Sequence, residues 1–276
     1  MAALTDLATR GGMNMTGLRF TAVDVAPLRV PEGFLHALAV GEVATPTAAF
    51  IIEHPKHGLI VYDTGMHPAI SDPEASVAHF GQGVREAFGA EGITRDHAID
   101  RQLIRLGYRP DDVKYVVYSH LHLDHAGGMT HFPNATHVVQ RDEMRYAWWP
   151  DRWTRAVYCN NDLQGTRHFD FLELGGDFDL FQDGTMQLVR MPGHSPGHQV
   201  LMLDLPHHGK VCLAADVAHL RSALNEYAPM PWDHDVGENT MSHMKLRAIE
   251  RGGVRVLLSH DPADFAAMPK DGTFWD

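Results

Sequence analysis

The 276-residue chain has little cysteine, only Cys159 and Cys212. Two thiols cannot build a disulfide framework, and they fit a reducing compartment. Long hydrophobic runs are missing too. No apolar stretch approaches the roughly 20 residues needed to cross a bilayer. The N-terminal MAALTDLATRGGMNMTG lacks the continuous apolar core of a signal peptide. The expectation is therefore a cytoplasmic protein with no membrane partner. Positive charge is scarce as well: 23 Lys and Arg against 35 Asp and Glu give a formal net charge of −12. No basic run offsets it, so no nucleic acid partner is expected, since such a chain repels phosphate backbones. Repeats and low-complexity tracts are absent, and 44% hydrophobic with 21% charged residues is ordinary for a globular chain. The length suits a sizeable core. The reading is one domain over 1–276, with 1–17 as a flexible extension.

What the chain has in plenty is histidine, 20 in all. Histidine titrates near neutral pH and is a common metal ligand, but a count proves little and the grouping decides. Strand-like runs alternate with helical patterns. Ala48–Glu53 and Leu59–Tyr62, separated by the turn-like HPKHG, read as a hairpin. Thr94 reads as the N-cap of a helix carrying Ile99, Leu103 and Leu106 and ended by Gly107. Val113–Tyr118 reads as a buried strand, Thr136–Gln140 as another, and Arg141–Trp148 as a helix. Phe178–Phe181, Met186–Met191, Gln199–Leu205, Val211–Ala215 and Val254–Leu258 complete the strands. A helix over Glu238–Arg251 closes at Gly252 and Gly253, with Met241, Met244 and Ala248 expected to pack on a sheet. Hairpins mixed with strand–helix units predict an α/β layered fold without regular βαβ alternation.

The decisive segment is SHLHLDHAGG, Ser119–Gly128, at the end of a buried strand. His120, His122, Asp124 and His125 are four ligand-type side chains within six residues. Extended backbone puts His120 and His122 on one side, and a turn after Leu123 swings Asp124 and His125 toward a neighbouring point. Gly127 and Gly128 permit the tight backbone of that turn. One loop can thus serve two metals. A histidine-rich surface loop is the bland alternative, but it would not be expected at a strand end with Leu121 and Leu123 as apolar spacers. His194, Asp216 and His260 share the setting, each following an apolar strand, where a rigid scaffold presents side chains.

HLHLDH resembles the HxHxDH signature of the metallo-β-lactamase superfamily, and the later His, Asp and His resemble its dinuclear branch. The likeness runs from Asp63 in VYDTG to the closing SHD. It implies a four-layer αβ/βα sandwich. Carried over by position, His120, His122 and His194 would hold one metal, Asp124, His125 and His260 the other, and Asp216 would bridge them. Zn²⁺ is the leading expectation for the two divalent ions, and Fe, Co or Mn suit the same ligands. Asp63 is expected to orient a ligand histidine and His198 to be structural. Two such metals would share a water, lower its pKa from about 15.7 to about 7, and deliver the hydroxide to a carbonyl or phosphoryl group. Asp124 would shuttle a proton to the leaving group.

Within the superfamily the chain most resembles the N-acyl-homoserine lactonases, which share VYDTG, SHLHxDHAGG, a PGH loop and SHD. Quorum quenching by lactone-ring opening is the activity implied. Glyoxalase-II-type thioesterases add a basic helical region after the last ligand, and none follows His260 here. Secreted β-lactam hydrolases carry an export signal. An esterase or phosphotriesterase on the same site is the alternative, and a metal-binding scaffold without catalysis is the non-enzymatic one. The lactonases usually place a Tyr three residues after the bridging Asp, where this chain has His219, whose N–H would donate to the substrate carbonyl instead. Phe34, Met144, Tyr146, Trp148, Trp149 and Trp153 are candidates for an acyl pocket, although the WWPDRW residues also suit an oligomer contact or the core. The resemblance leaves a homodimer open.

Overall fold

Alternation along each strand decides which layer its side chains join. In β4 (Ala48–His54), Phe50 and Ile52 enter one apolar cluster while Ala49 and Ile51 enter another on the opposite face. The structure, a computed structural model, describes residues 17–276, so the extension expected over 1–17 lies, but for Gly17, outside the described residues. Among them, β1 (Arg19–Asp24), β4, β5 (Gly58–Tyr62), β6 (Val113–Val117), β7 (Thr136–Gln140) and β8 (Asp170–Leu174) form one sheet in that order. Its first pairs are antiparallel and the pairs from β5 to β8 are parallel. A second sheet runs β13 (Arg255–Leu257), β12 (Gly209–Leu213), β11 (Gln199–Leu205), β10 (Met186–Arg190), β9 (Phe178–Asp179). Only its β12–β13 pair is parallel. A separate ribbon pairs β2 (Leu28–Pro31) with β3 (Glu42–Thr45).

The inner faces of the two sheets share one core, with Phe20, Phe50, Ile60 and Tyr62 meeting Leu188, Leu201, Leu203 and Leu213. The outer face of the first sheet packs Ile51, Val61 and Val116 against Leu103 of helix Ile99–Arg105 and Ala147 of helix Arg141–Trp148. The outer face of the second packs Val200, Cys212 and Val256 against Leu246 of helix Val236–Arg251. Helix, sheet, sheet, helix is the predicted αβ/βα sandwich, and burying all four sheet faces is what lets strands such as β4 be apolar on both sides.

The hairpin β4–β5 forms as predicted. Thr94 instead starts a 3-10 turn over Arg95–His97, and the α-helix begins five residues after Thr94, at Ile99. Strand pairing at Phe178 stops after Asp179. Met241, Met244 and Ala248, expected in the core, are exposed, with Met241 at 64%. Their helix is turned so that Asn239, Ser242, His243 and Leu246 face inward, and Asp235 caps it by accepting from Glu238 N at 2.9 Å. No helix among the described residues is long and apolar enough to cross a membrane.

Candidate metal centre

Strand ends from both sheets converge at one edge of the sandwich. His120 and His122 follow β6, and the single helical turn Leu123–Ala126 carries Asp124 and His125. His194 lies between β10 and β11, Asp216 follows β12, and His260 follows β13. The two sheets are stitched together here, by Gln199 N donating to Ser119 O at 2.9 Å and Ala48 N to Ser259 O at 3.1 Å. Gly127 and Gly128 have ordinary negative φ, so their role differs from the conformational one expected. A Cβ on Gly127 would lie 2.1 Å from His67 N. It is the close approach of the VYDTG loop that demands glycine.

All seven predicted side chains are brought together and buried. Asp216 is the hub. Its Oδ2 lies 3.8 Å from His120 Nε2, 3.5 Å from His194 Nε2 and 3.2 Å from His125 Nε2, and its Oδ1 lies 3.4 Å from His260 Nε2. Asp124 Oδ2 is 3.7 Å from both His125 Nε2 and His260 Nε2. His122 Nδ1 faces His194 Nε2 at 3.0 Å. Potential ligand atoms of His120, His122 and His194 lie within 4.8 Å of one another, as do those of Asp124, His125 and His260.

An outer ring of partners sets which nitrogen points inward. Asp63, at φ 62°, accepts from Ser119 N and Oγ at 2.7 Å each and from His125 Nδ1 at 2.9 Å. Because Ser119 Oγ spends its proton on Asp63, it accepts from His120 Nδ1 at 2.9 Å. His260 Nδ1 donates to Pro46 O at 2.8 Å and His194 Nδ1 to Asp233 Oδ1 at 3.2 Å. Four imidazoles thus keep a proton on Nδ1 and aim the Nε2 lone pair inward. His198, as expected, is structural in position: its Nε2 accepts from Asp216 N at 3.1 Å.

Converging lone pairs and carboxylates call for cations. His120 Nε2 and Asp216 Oδ1 are buried without a hydrogen-bond partner. Burial, reinforced by neighbouring histidines, holds His120 and His122 well below the ordinary imidazole value, so both are neutral and have a lone pair to offer a cation. For His125 burial acts the same way, but Asp216, Asp124 and Asp63 outweigh it and raise the imidazole well above that value. In the absence of a metal a proton takes up that negative field. The donor set, five imidazoles and two carboxylates, fits two divalent ions.

The centre floors a cavity of about 380 Å³ whose walls are apolar, with Leu28, Val30, Phe34, Phe88, Val157 and Trp232 among them. Phe34 and Trp232 meet edge to face at 5.1 Å. Of the aromatics predicted for an acyl pocket only Phe34 lines it. Trp149 is 84% exposed, Trp148 packs on the outer core under Arg167, and Trp153 stacks near His234 at the surface. Trp232, absent from that prediction, takes their place. His219 lines the cavity too, stacked on His260 at 4.7 Å. Its Nε2 is 3.1 Å from Asp216 Oδ2, and burial lowers its pKa.

Two buried acids went unread in the sequence. Glu143 accepts from Leu121 N at 2.9 Å, Tyr158 Oη at 3.0 Å, Ser195 Oγ at 2.6 Å and Gly197 N at 2.9 Å, tying the two histidine loops together. Asp233 joins His194 to Met230 N and Asn239 Nδ2, both at 2.9 Å. The signal for Glu143 was its place four residues before the apolar Ala147, on the inward helix face.

The family model of the metallo-beta-lactamase superfamily matches residues 43–260, from β3 through the last histidine of this centre. The chain belongs to that superfamily. Among metallo-beta-lactamase relatives, it is 37% identical over 236 residues to an N-acyl homoserine lactonase, AttM, of Azorhizobium caulinodans, covering 84% of this chain and 88% of that one. It is 28% identical to the N-acyl homoserine lactonase AiiA of Bacillus thuringiensis subsp. kurstaki, over 82% of this chain and 85% of the other. A solved N-acyl homoserine lactone hydrolase, with the product N-hexanoyl-L-homoserine at its catalytic metal center, superposes with a TM-score of 0.78 at 25% identity, covering 93% and 98% of the chains.

Proposed function

We propose that the protein is a dinuclear-metal lactonase that opens N-acyl-homoserine lactones, a quorum-quenching hydrolase. The observation that carries the reading is an apolar cavity of about 380 Å³ opening onto the seven-residue centre. A lactone with a fatty-acyl tail needs both: polar chemistry at the ring and an apolar wall for the chain. The lactonase names of the relatives support it.

His120, His122 and His194 would hold one metal and Asp124, His125 and His260 the other, with Asp216 placed to serve both and Zn²⁺ as the ion the donor set favours. Two bound divalent ions supply water activated near neutral pH and polarisation of the ester carbonyl. The chain's own residues do the rest. Phe34 and Trp232 hold the acyl chain and exclude water. Asp124, beside the cavity, takes the proton that the attacking water gives up and passes it to the departing ring oxygen. His219, neutral and holding a single N–H, presents it at Nε2. Asp216 takes that N–H in the structure, and the carbonyl competes for it once Asp216 is engaged as a ligand. The setting is a cytoplasm, in which both cysteines stay reduced.

The test is hydrolysis of acyl-homoserine lactones, simple lactones, an aryl ester and a phosphotriester, followed by proton release, with chelated protein as control. Preference for acyl-homoserine lactones that is lost on chelation supports the proposal. Turnover of only the ester or phosphotriester discards it in favour of the alternative activity. For His219, an unaltered kcat/KM in His219→Ala removes it from the mechanism.

A further inference from the structure

A second group of ligand-type side chains lies apart from the centre. His79, on helix Pro73–Phe80, points Nε2 at Asp162 Oδ1, 2.6 Å away. Asp162 belongs to helix Asn160–Gln164, whose preceding residue is Cys159. One ligand atom from each of His79, Cys159 and Asp162 lies within 4.8 Å of the other two. Asp162 is 3% exposed and His79 16%. The His67 ring stacks on His79 at 3.7 Å and 9°, which fixes the imidazole plane.

We infer that His79, Cys159 and Asp162 form a further metal site, for a single zinc-type divalent cation, cross-linking helix Pro73–Phe80 to the segment that leads from Val157 into helix Asn160–Gln164. The donor set is soft sulfur, imidazole and carboxylate, a Zn²⁺ combination, and the partial exposure of His79 leaves the fourth position to water. Charge balances in the buried pocket: one thiolate and one carboxylate neutralise one divalent ion. Binding moves the His79 proton from Nε2 to Nδ1 and releases the Cys159 thiol proton to solvent. Without a cation, burial and the Asp162 charge push the Cys159 thiol up to about 12, and a metal at the sulfur reverses that.

A second triplet, His54, His57 and Asp183, marks the contrast. His54 Nδ1 already accepts from Lys56 N and His57 N, and Nε2 bonds Thr185 Oγ at 3.2 Å. Both nitrogens of His54 are used, so that group keeps only His57 and Asp183 to offer a cation. His79 has only the one side-chain partner, Asp162, which is itself a ligand.

The site stands whether or not the lactonase reading holds, and cobalt separates the two. The seven-residue centre offers only nitrogen and oxygen, so thiolate-to-cobalt charge transfer in the near ultraviolet reports a cysteine outside it, and Cys212→Ser separates Cys159 from the other thiol. Full-length protein stripped with chelator is loaded with excess Co²⁺ and desalted. The expected result is that band in the wild type and in Cys212→Ser. Cys159→Ser and His79→Ala should lose it and one metal equivalent while keeping the visible absorption of the nitrogen–oxygen centre. A wild type without the band, or a band that persists in Cys159→Ser, overturns the inference. An inactive protein that shows the band would refute the lactonase reading and leave this one intact.

Discussion

Replacing Glu143 by Gln tests how far the centre depends on a residue whose hydrogen bonds go to none of the proposed ligand side chains. The carboxylate is fully buried and accepts four hydrogen bonds, two at each oxygen. Glutamine has the same shape but one oxygen and one NH₂. Hydroxyls can turn round to accept from that NH₂, and backbone N–H groups cannot. Each original oxygen serves one hydroxyl and one backbone N–H, so either orientation of the amide leaves one N–H facing another donor. With the amide oxygen toward the HLHLDH loop, Gly197 N is stranded; flipped, Leu121 N is. An unpaired buried N–H costs about 1–3 kcal/mol, and charge assistance is lost at the remaining bonds. The expected destabilisation is about 2–3 kcal/mol, a large share of a stability of roughly 5–15 kcal/mol. Both loops carry proposed ligand histidines, so affinity for the metals should fall about 10–100-fold. Urea denaturation and competition with a chromophoric chelator measure the two effects. A variant within about 0.5 kcal/mol of wild type and equal in metal affinity would refute the reasoning.

Trp232→Ala removes the partner of Phe34 at the cavity wall. About 1–2 kcal/mol of apolar contact should raise KM for long-acyl lactones around tenfold and leave short-acyl substrates little changed, as steady-state kinetics across chain lengths would register. Gly193→Ala puts a side chain at φ +127° with Cβ 2.1 Å from Asn239 N. Expected are a loss of about 3 kcal/mol in denaturant unfolding and weaker metal retention, because His194 is the next residue. His137 is fully buried, and burial pushes its pKa down to about 4. The unfolded chain therefore takes up this proton first as pH falls. The stability contribution is complete above about pH 6.5 and is lost between 6.5 and 4, by roughly 3 kcal/mol. Measured on metal-free protein, the stability gap between wild type and His137→Gln should shrink by that amount across the window, and a constant gap would contradict it.

The parts legible in sequence were those with short-range signatures. A hairpin closed by HPKHG, apolar runs bounded by turns, and a dense HLHLDH loop all lie within windows where periodicity speaks. The later His194, Asp216 and His260 were legible because each follows an apolar strand. What escaped depends on pairing between distant segments. The β2–β3 ribbon, which builds one cavity wall, has short strands whose partners lie across a loop. Glu143 sits in RDEMR and reads as a surface acid until Ser195 and Gly197 arrive from more than fifty residues away. Helix Val236–Arg251 has two plausible apolar stripes, and small and polar residues, rather than Met241 and Met244, won the inward face because the space over Val217 and Pro192 admits hydrogen bonds from His243 and Ser242.

The seven side chains are divided between the sheets in chain order, four after β6 and three after β10, β12 and β13. A nascent chain extending only as far as β8 carries the first four, without Asp216, the proposed bridge between the two metals. Metal capture at full affinity thus waits for the second sheet to dock on the first. Under the proposed ligand assignment, uptake of metal works as an inspection of finished molecules: an ion that is held tightly certifies that both halves of the sandwich have met in register, and a chain misfolded in either half would be left without its ions.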